Sequence, residues 1–449
     1  MATTQGVSAG PRPAATSTTG AADPPRRPAT PERLPTRGTL LGLRVEQVIS
    51  WEVAAAALVA ARQYGSDPLL YAAAVGTAVI LVLTLARRQG RWLYQWLGLW
   101  LAYRGRRQPV PLPDGPAGAD RPPGPDRPAG ADRPAGADRP AGADRPAGDD
   151  RLAPVRALRP ALAISSVTGR RNQVIGVLRD GDGWVAVLDL AGNDGLLPGP
   201  PAPRTVPLGP LVAALSTEDI QLTAVQLVVH TVPAGSAARL LDQASRPDQP
   251  LPPALQAGWL ALRIGPATAL SGAGRAIGTG KAGLDRVQRV LRRAVDRAVE
   301  TLHGLGVTAH PLDEDGLRAT FGLATAARPA TPGGPAEPAI EQWSGWQCAG
   351  AGHTCYAVRE WPEAGLGPLL GALAAVPAQL VTVSVTVNTD RPEPALTGLI
   401  RITEPTIDAA RRAGDLAADA VQAGGGRLLR LDGQQAGAVL ATLPLGAVR

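Results

Sequence analysis

The chain has little of most side chains that do chemistry or stiffen a core. Among 449 residues there are two cysteines, four histidines, one methionine and one phenylalanine, and aromatic residues make up 3%. Two cysteines cannot build a disulfide framework, which fits a reducing compartment. Four histidines and no G-x-S-x-G leave a nucleophile triad without support. Lysine is almost absent: of 45 basic residues, Lys281 is the single lysine. With the excess of Ala, Gly and Pro, that reflects a GC-rich coding sequence more than a function. The net charge of +7 invites a nucleic-acid reading, but its distribution opposes it. Residues 1–107 hold 13 arginines against 5 acids, whereas residues 108–449 hold 32 basic and 33 acidic side chains. The C-terminal part has no basic stripe for a phosphate backbone.

What is present is a long apolar run. Residues 69–86, LLYAAAVGTAVILVLTLA, carry no charge and are followed by Arg87, Arg88 and Arg91. As a helix this run spans roughly 27 Å, close to the thickness of a bilayer core. A second candidate, residues 48–61, lies upstream and is apolar except for Ser50 and Glu52. The break at 63–68 reads as a turn, so the expectation is a two-helix transmembrane hairpin. Arginines flank both ends and the loop between has few, which places both ends in the cytoplasm. Some 40 residues precede the first run, too many for the usual signal peptide. Glu52 is a candidate intramembrane contact, because an acid within a span usually faces protein.

Residues 91–107, RWLYQWLGLWLAYRGRR, place Trp92, Trp96 and Trp100 at i, i+4 and i+8, with Tyr103 on the same side of a helix. Tryptophan and tyrosine favour the headgroup zone. This segment is expected to lie at the membrane interface or to dock on another membrane subunit.

The domain expectation is a disordered extension over 1–40, the hairpin and aromatic helix over 41–107, and a linker over 108–154. Two cytoplasmic lobes follow, 155–328 and 339–449, separated by a Pro/Gly break. The linker repeats PAGADR almost perfectly and offers only Ala and Pro to a core. It reads as a solvated tether with a reach of roughly 35 Å, so the domain need not sit flush on the membrane. In the lobes, strands are expected at 173–178, 184–190, 224–231, 259–264, 379–387, 397–402 and 427–431. Helices are expected at 208–215, 284–302 and 407–422. Interleaved strands and helices give an α/β or α+β class.

Three motifs were weighed for chemistry. Gly278-Thr279-Gly280-Lys281 falls short of a phosphate loop, because Arg275 stands where the first glycine belongs and Ala282 where the hydroxyl belongs. Cys348, His353 and Cys355 form a C-x4-H-x-C cluster, short of the four ligands a closed zinc site needs; two free thiols in a local hairpin is the simpler reading. Asp313-Glu314-Asp315 has the D-x-D spacing of a divalent ion on a nucleotide-sugar, yet followed by Gly-Leu-Arg it fits a helix cap. No catalytic, cofactor-binding or metal residue is assigned.

Several stretches in order resemble the EccE family, a membrane component of type VII (ESX) secretion systems of actinobacteria. They are the apolar spans with WLYQWLGLW, then VIGVLRDGDGWVAVLDL (174–190), VPLGPLVAALSTEDIQLTAVQLVVHTVPA (206–234), WLALRI (259–264), EQWSGWQ (341–347), REWP (359–362) and GGGRLLRLDGQQAGAVLATLPLG (424–446). The resemblance implies a non-enzymatic plasma-membrane subunit beside EccB, EccC and EccD components, with EccC as the ATPase. It carries no catalytic motif and no cofactor. The chain departs from the family in its PAGADR tether and N-terminal extension. Two other readings remain open from the residues: a membrane-tethered glycosyltransferase-like enzyme using Asp313 and Asp315, and a stand-alone membrane-anchored binding module.

Overall fold

The structure is a computed structural model. It describes residues 39–40, 43–88, 91–106, 151–169, 172–181, 183–190, 206–215, 222–233, 236, 255–265, 281–326, 338–389 and 395–446. The chain divides into two compact units, residues 1–77 and 78–449.

Helix α1 covers Val45–Tyr64 and α2 covers Asp67–Leu85. The turn between them is tight, and a Cβ at Gly65 would lie 2.4 Å from the Ala61 carbonyl oxygen, so glycine is required there. Thr77 Oγ1 donates to the Ala73 carbonyl at 2.9 Å and approaches that of Ala54 at 3.4 Å, bringing the two helices together. Among the described helices, α2 is the one long and apolar enough to cross a membrane. Helix α1 is as long, but its sequence includes Glu46, Glu52 and Arg62. The expected pair of spans therefore has one member of spanning composition. Helix α3 covers Leu93–Arg106.

The rest of the second unit is built on one twelve-stranded sheet. Its first nine elements are β1 (Ala163–Thr168), β2 (Val174–Arg179), β3 (Trp184–Leu190), α5 (Leu208–Leu215), β4 (Ala224–Val232), β5 (Leu255–Ile264), α6 (Lys281–Gly304), β6 (Ala309–Pro311) and α7 (Glu314–Thr325), preceded by α4 (Ala153–Leu158). Nine more follow: β7 (Ile340–Gln342), β8 (Gly345–Cys348), β9 (Ala351–Glu360), α8 (Leu366–Ala374), β10 (Leu380–Asn388), β11 (Ala395–Glu404), α9 (Ile407–Ala423), β12 (Arg427–Arg430) and α10 (Gln435–Ala441). The strand order is β7-β8-β9-β11-β10-β4-β5-β3-β2-β1, with β6 beside β3 and β12 beside β9.

The two series are the same series. In the first, β3-α5-β4-β5-α6-β6 lie in the sheet as β6-β3-β5-β4; in the second, β9-α8-β10-β11-α9-β12 lie as β12-β9-β11-β10. Each is a split βαββαβ unit of ferredoxin-like topology. The two join through β4 and β10, whose antiparallel register is centred near Val228 and Ser384, so a pseudo-twofold axis passes between those strands. The clearest sequence trace is in the first helices: Leu-Gly-Pro-Leu-Val-Ala-Ala-Leu over 208–215 against Leu-Gly-Pro-Leu-Leu-Gly-Ala-Leu over 366–373.

Every described strand pairing is antiparallel. The class is therefore α+β, and the α/β alternative falls. Helices do alternate with strands, but each crossover skips one position, and a strand of opposite direction fills the gap.

One face of the sheet is apolar and covered by α5, α6, α8 and α9. Leu291, Val295, Ala298 and Leu302 of α6 bury there against Leu188, Leu227, Leu260 and Leu262; Ala413, Ala417 and Val421 of α9 do so against Val381, Val383, Ile400 and Ile402. The other face is covered by α4, α7, α10 and residues 441–446. That second face carries the buried polar groups.

Candidate interaction surface and the buried polar row

Helix α3 presents two adjacent sides. On one, Trp96 and Tyr103 pack on Trp343, with ring centroids 5.6 and 5.3 Å apart and the tyrosine edge-on at 78°. Trp343 is one of two residues turning the β7–β8 hairpin. Its carbonyl accepts the Gly433 N–H at 2.7 Å. Gly433 has φ +72° and a Cβ there would meet the Trp343 ring at 2.7 Å, so only glycine seats this platform. Glu341 adds a second tie, its Oε1 accepting the Ala436 N–H at 3.0 Å in the first turn of α10. On the adjacent side of α3, Leu97, Trp100 and Leu101 are exposed, and the Arg104 guanidinium lies 5.2 Å over the Trp100 ring.

The candidate residues from the sequence thus separate. Trp96 and Tyr103 are engaged with the domain. Trp100 faces outward. Trp92 is half-buried just before α3, and its N–H is held by Gln95 Oε1 at 3.2 Å. Glu52 is exposed on α1. Sequence reasoning placed the aromatic stripe on one helical face but missed Trp343, whose signal was its place inside the EQWSGWQ stretch.

A row of polar side chains crosses the second face of the sheet: His230 on β4, Thr382 on β10, Arg401 on β11 and Cys355 on β9 are successive cross-strand neighbours. All are fully or almost fully buried. Arg401 Nη2 donates to Thr382 Oγ1 at 3.2 Å and to the carbonyl of Ala324, near the C-terminus of α7. The helix end supplies partial negative charge where no carboxylate stands. Burial lowers the Arg401 pKa to about 10, and the group remains a cation at neutral pH. Thr382 Oγ1 also lies 3.1 Å from His230 Nδ1. The His230 ring stands edge-on to Trp259, with centroids 4.8 Å apart. His353 Nδ1 meets Thr403 Oγ1 at 3.0 Å and its ring lies over Trp346.

Burial, and secondarily the Arg401 charge, hold both imidazoles well below their ordinary pKa. Burial pushes the Cys355 thiol up to about 12, against the pull of Arg401. The lowered values make both histidines weak bases, and the raised value keeps the Cys355 thiol protonated near pH 7. The row ties β4, β10, β11 and α7 together through its hydrogen bonds.

It also sets an acid limit. Both histidines are neutral when folded and take a proton near pH 6.5 when unfolded. The unfolded state therefore binds more protons below that pH, and stability falls as pH drops from about 6.5 toward the depressed folded values. With both groups contributing, the slope approaches about 2.7 kcal/mol per pH unit. Denaturant titrations between pH 7 and about 4.5 check this; the His230→Gln/His353→Gln chain should show a flatter profile.

The other motifs resolve as local structure. Asp313 is the N-cap of α7, its Oδ1 accepting the Gly316 N–H at 2.7 Å, and Glu314 and Asp315 pair with Arg318. Cys348 and Cys355 are buried on β8 and β9. Among the described residues, no group of three or more His, Cys, Asp or Glu could hold a metal ion. Residues 278–280 of the glycine-rich loop lie outside the described residues, and Lys281 begins α6.

Fold and site define a class: a chain with, among the described residues, one apolar helix of membrane-spanning length and a tandem ferredoxin-like α+β domain with a buried polar row. Within it, residues 253–358 match the family described as EccE, a putative type VII ESX secretion system translocon component. The match runs from β5 into β9, across the junction of the two repeats, and includes Trp343. The resemblance drawn from the sequence is supported over that segment. No curated protein matches the chain.

Proposed function

We propose that the protein is a structural membrane subunit of a type VII (ESX) secretion complex, which it anchors and stabilises through protein–protein contacts. The observation that carries this reading is the EccE family match over residues 253–358. In this reading α1 and α2 form a hairpin in the plasma membrane with the domain in the cytoplasm. EccB, EccC and EccD type subunits are the partners, together with membrane lipids; no nucleic acid, cofactor or metal takes part, and the protein is not an enzyme. Glu52, Trp92 and Trp100 are the docking residues toward other subunits or lipid, while Trp96 and Tyr103 dock α3 on the domain through Trp343.

The test is a mild-detergent pull-down of the full chain from its native membranes, followed by mass spectrometry. Recovery of an FtsK-like ATPase and a multi-span channel subunit is the expected result. Replacing Trp92, Trp96 and Trp100 by Ala should reduce that recovery severalfold while the domain stays folded. An unchanged yield from the triple variant would remove the tryptophans from the docking surface.

A further inference from the structure

We propose that α3 is a two-sided clamp: its Trp96–Tyr103 side grips the domain through Trp343, and its Leu97–Trp100–Leu101 side rests in an anionic lipid surface. The domain is thereby held against the membrane by α3 itself. This rests on reading α2 as membrane-spanning.

Two observations carry it. The first is that both ends of the linker return to one place. Before it, α3 packs on Trp343, which is tied to Gly433 and, through the same hairpin, to the start of α10. After it, Leu152 and Val155 at α4 are almost wholly buried beside Phe321 and Leu440 of α7 and α10. A segment with both ends on one body cannot set the distance of that body from the membrane.

The second is the chemistry of the outer side. Leu97, Trp100, Leu101 and Arg104 recur at i, i+3, i+4 and i+7, making one stripe. The three apolar residues are 43%, 42% and 56% exposed. Arg87, Arg88, Arg91, Arg104, Arg106 and Arg107 crowd the segment, with no acid between 68 and 113. An apolar stripe with tryptophan, in an arginine-rich stretch of sequence directly following an apolar span, matches anionic headgroups over acyl chains.

The test uses the full chain in nanodiscs of phosphatidylcholine with phosphatidylglycerol. Cys348 and Cys355 are buried, so an introduced surface cysteine takes a fluorophore selectively. A label on Gln342→Cys, in β7, reports distance to acceptor-labelled lipid by energy transfer. The clamp predicts the same transfer whether the PAGADR repeats are deleted or doubled. In Trp96→Ala/Tyr103→Ala, whose changes lie outside the sheet domain, transfer should fall and begin to follow linker length. Transfer that follows linker length in the wild-type chain overturns the clamp.

A label on Leu101→Cys reports the lipid side. Nitroxide lipid should quench it, and should not quench a label on Arg412→Cys of α9. Absence of quenching in nanodiscs, with protection of Leu101→Cys appearing only in native membranes, would assign this side to a protein and overturn the lipid contact. The pull-down is independent. If subunits co-purify while transfer follows the linker, the clamp alone fails; if transfer ignores the linker and nothing co-purifies, the assembly reading alone fails.

Discussion

Asp180→Ala is expected to lower stability by about 3–5 kcal/mol, the cost of leaving a buried charge without its partner. Asp180 closes the β2–β3 hairpin and is 2% exposed; Arg263 on β5 is 6% exposed. Their contact is bidentate, with Nη1–Oδ2 at 2.7 Å and Nη2–Oδ1 at 3.0 Å. The same Nη1 donates to the Leu445 carbonyl at 2.9 Å. Gln226 holds the neighbouring N–H of Gly446 at 2.7 Å and bonds the Ala441 carbonyl at 2.9 Å. The pair thus fastens the C-terminal segment over the sheet. The variant leaves the buried guanidinium without its carboxylate, with only the Leu445 carbonyl still accepting from it and Gln226 still holding the segment. The double variant Asp180→Leu/Arg263→Met removes both charges and should recover much of the loss, because an apolar pair of similar volume needs no compensation. Denaturant midpoints at constant slope measure both. A single-variant loss below about 1 kcal/mol would mean that water reaches the pair.

Phe321→Ala should cost about 3–5 kcal/mol, as expected for deleting a large buried side chain that cannot be refilled. Phe321 is fully buried in α7, in a cluster with Leu178, Val185, Val228, Trp259 and Leu317. It is the chain's one phenylalanine. The same helix end supplies the Ala324 carbonyl to Arg401. Loosening α7 therefore exposes the buried Arg401 guanidinium to water. Hydrogen exchange should show α7 and the central strands losing protection together. Loss confined to α7, with β10 and β11 unchanged, would mean that Arg401 does not depend on the helix.

Among the strands and helices expected from periodicity, the apolar ones lie close to where the pattern put them. The run 208–215 is α5 residue for residue, and 284–302 falls inside α6. The missed elements have mixed patterns. β9, AGHTCYAVRE, is buried over its first six residues on both faces although His, Thr, Cys and Tyr are among them. Its alternation is invisible because both faces are covered. β6, β7 and β8 are three or four residues long and hold their place through neighbours rather than propensity. α8 repeats the composition of α5, yet its glycines hid it. Arg401 and Arg263 sit within strands that read as half-exposed, and both are buried. The docking stripe was legible as a stripe; its split between Trp343 and the outside was not.

The sequence by itself determined the apolar span, the arginine distribution around it, the aromatic helix and the main strands and helices, because these rest on composition and on periods of 2 and 3.6 residues within one segment. Tertiary structure decided what joins distant segments. The tandem repeat is recorded in strand order and register, while its sequence has diverged almost everywhere outside the Leu-Gly-Pro-Leu helices. The buried row exists because β4, β10, β11 and β9 become neighbours across more than 170 residues of chain. Trp343 meets Trp96 and Tyr103 because a hairpin turn and a glycine at positive φ present its ring to α3. Burial and pairing are properties of the assembled sheet, and no local pattern encodes them.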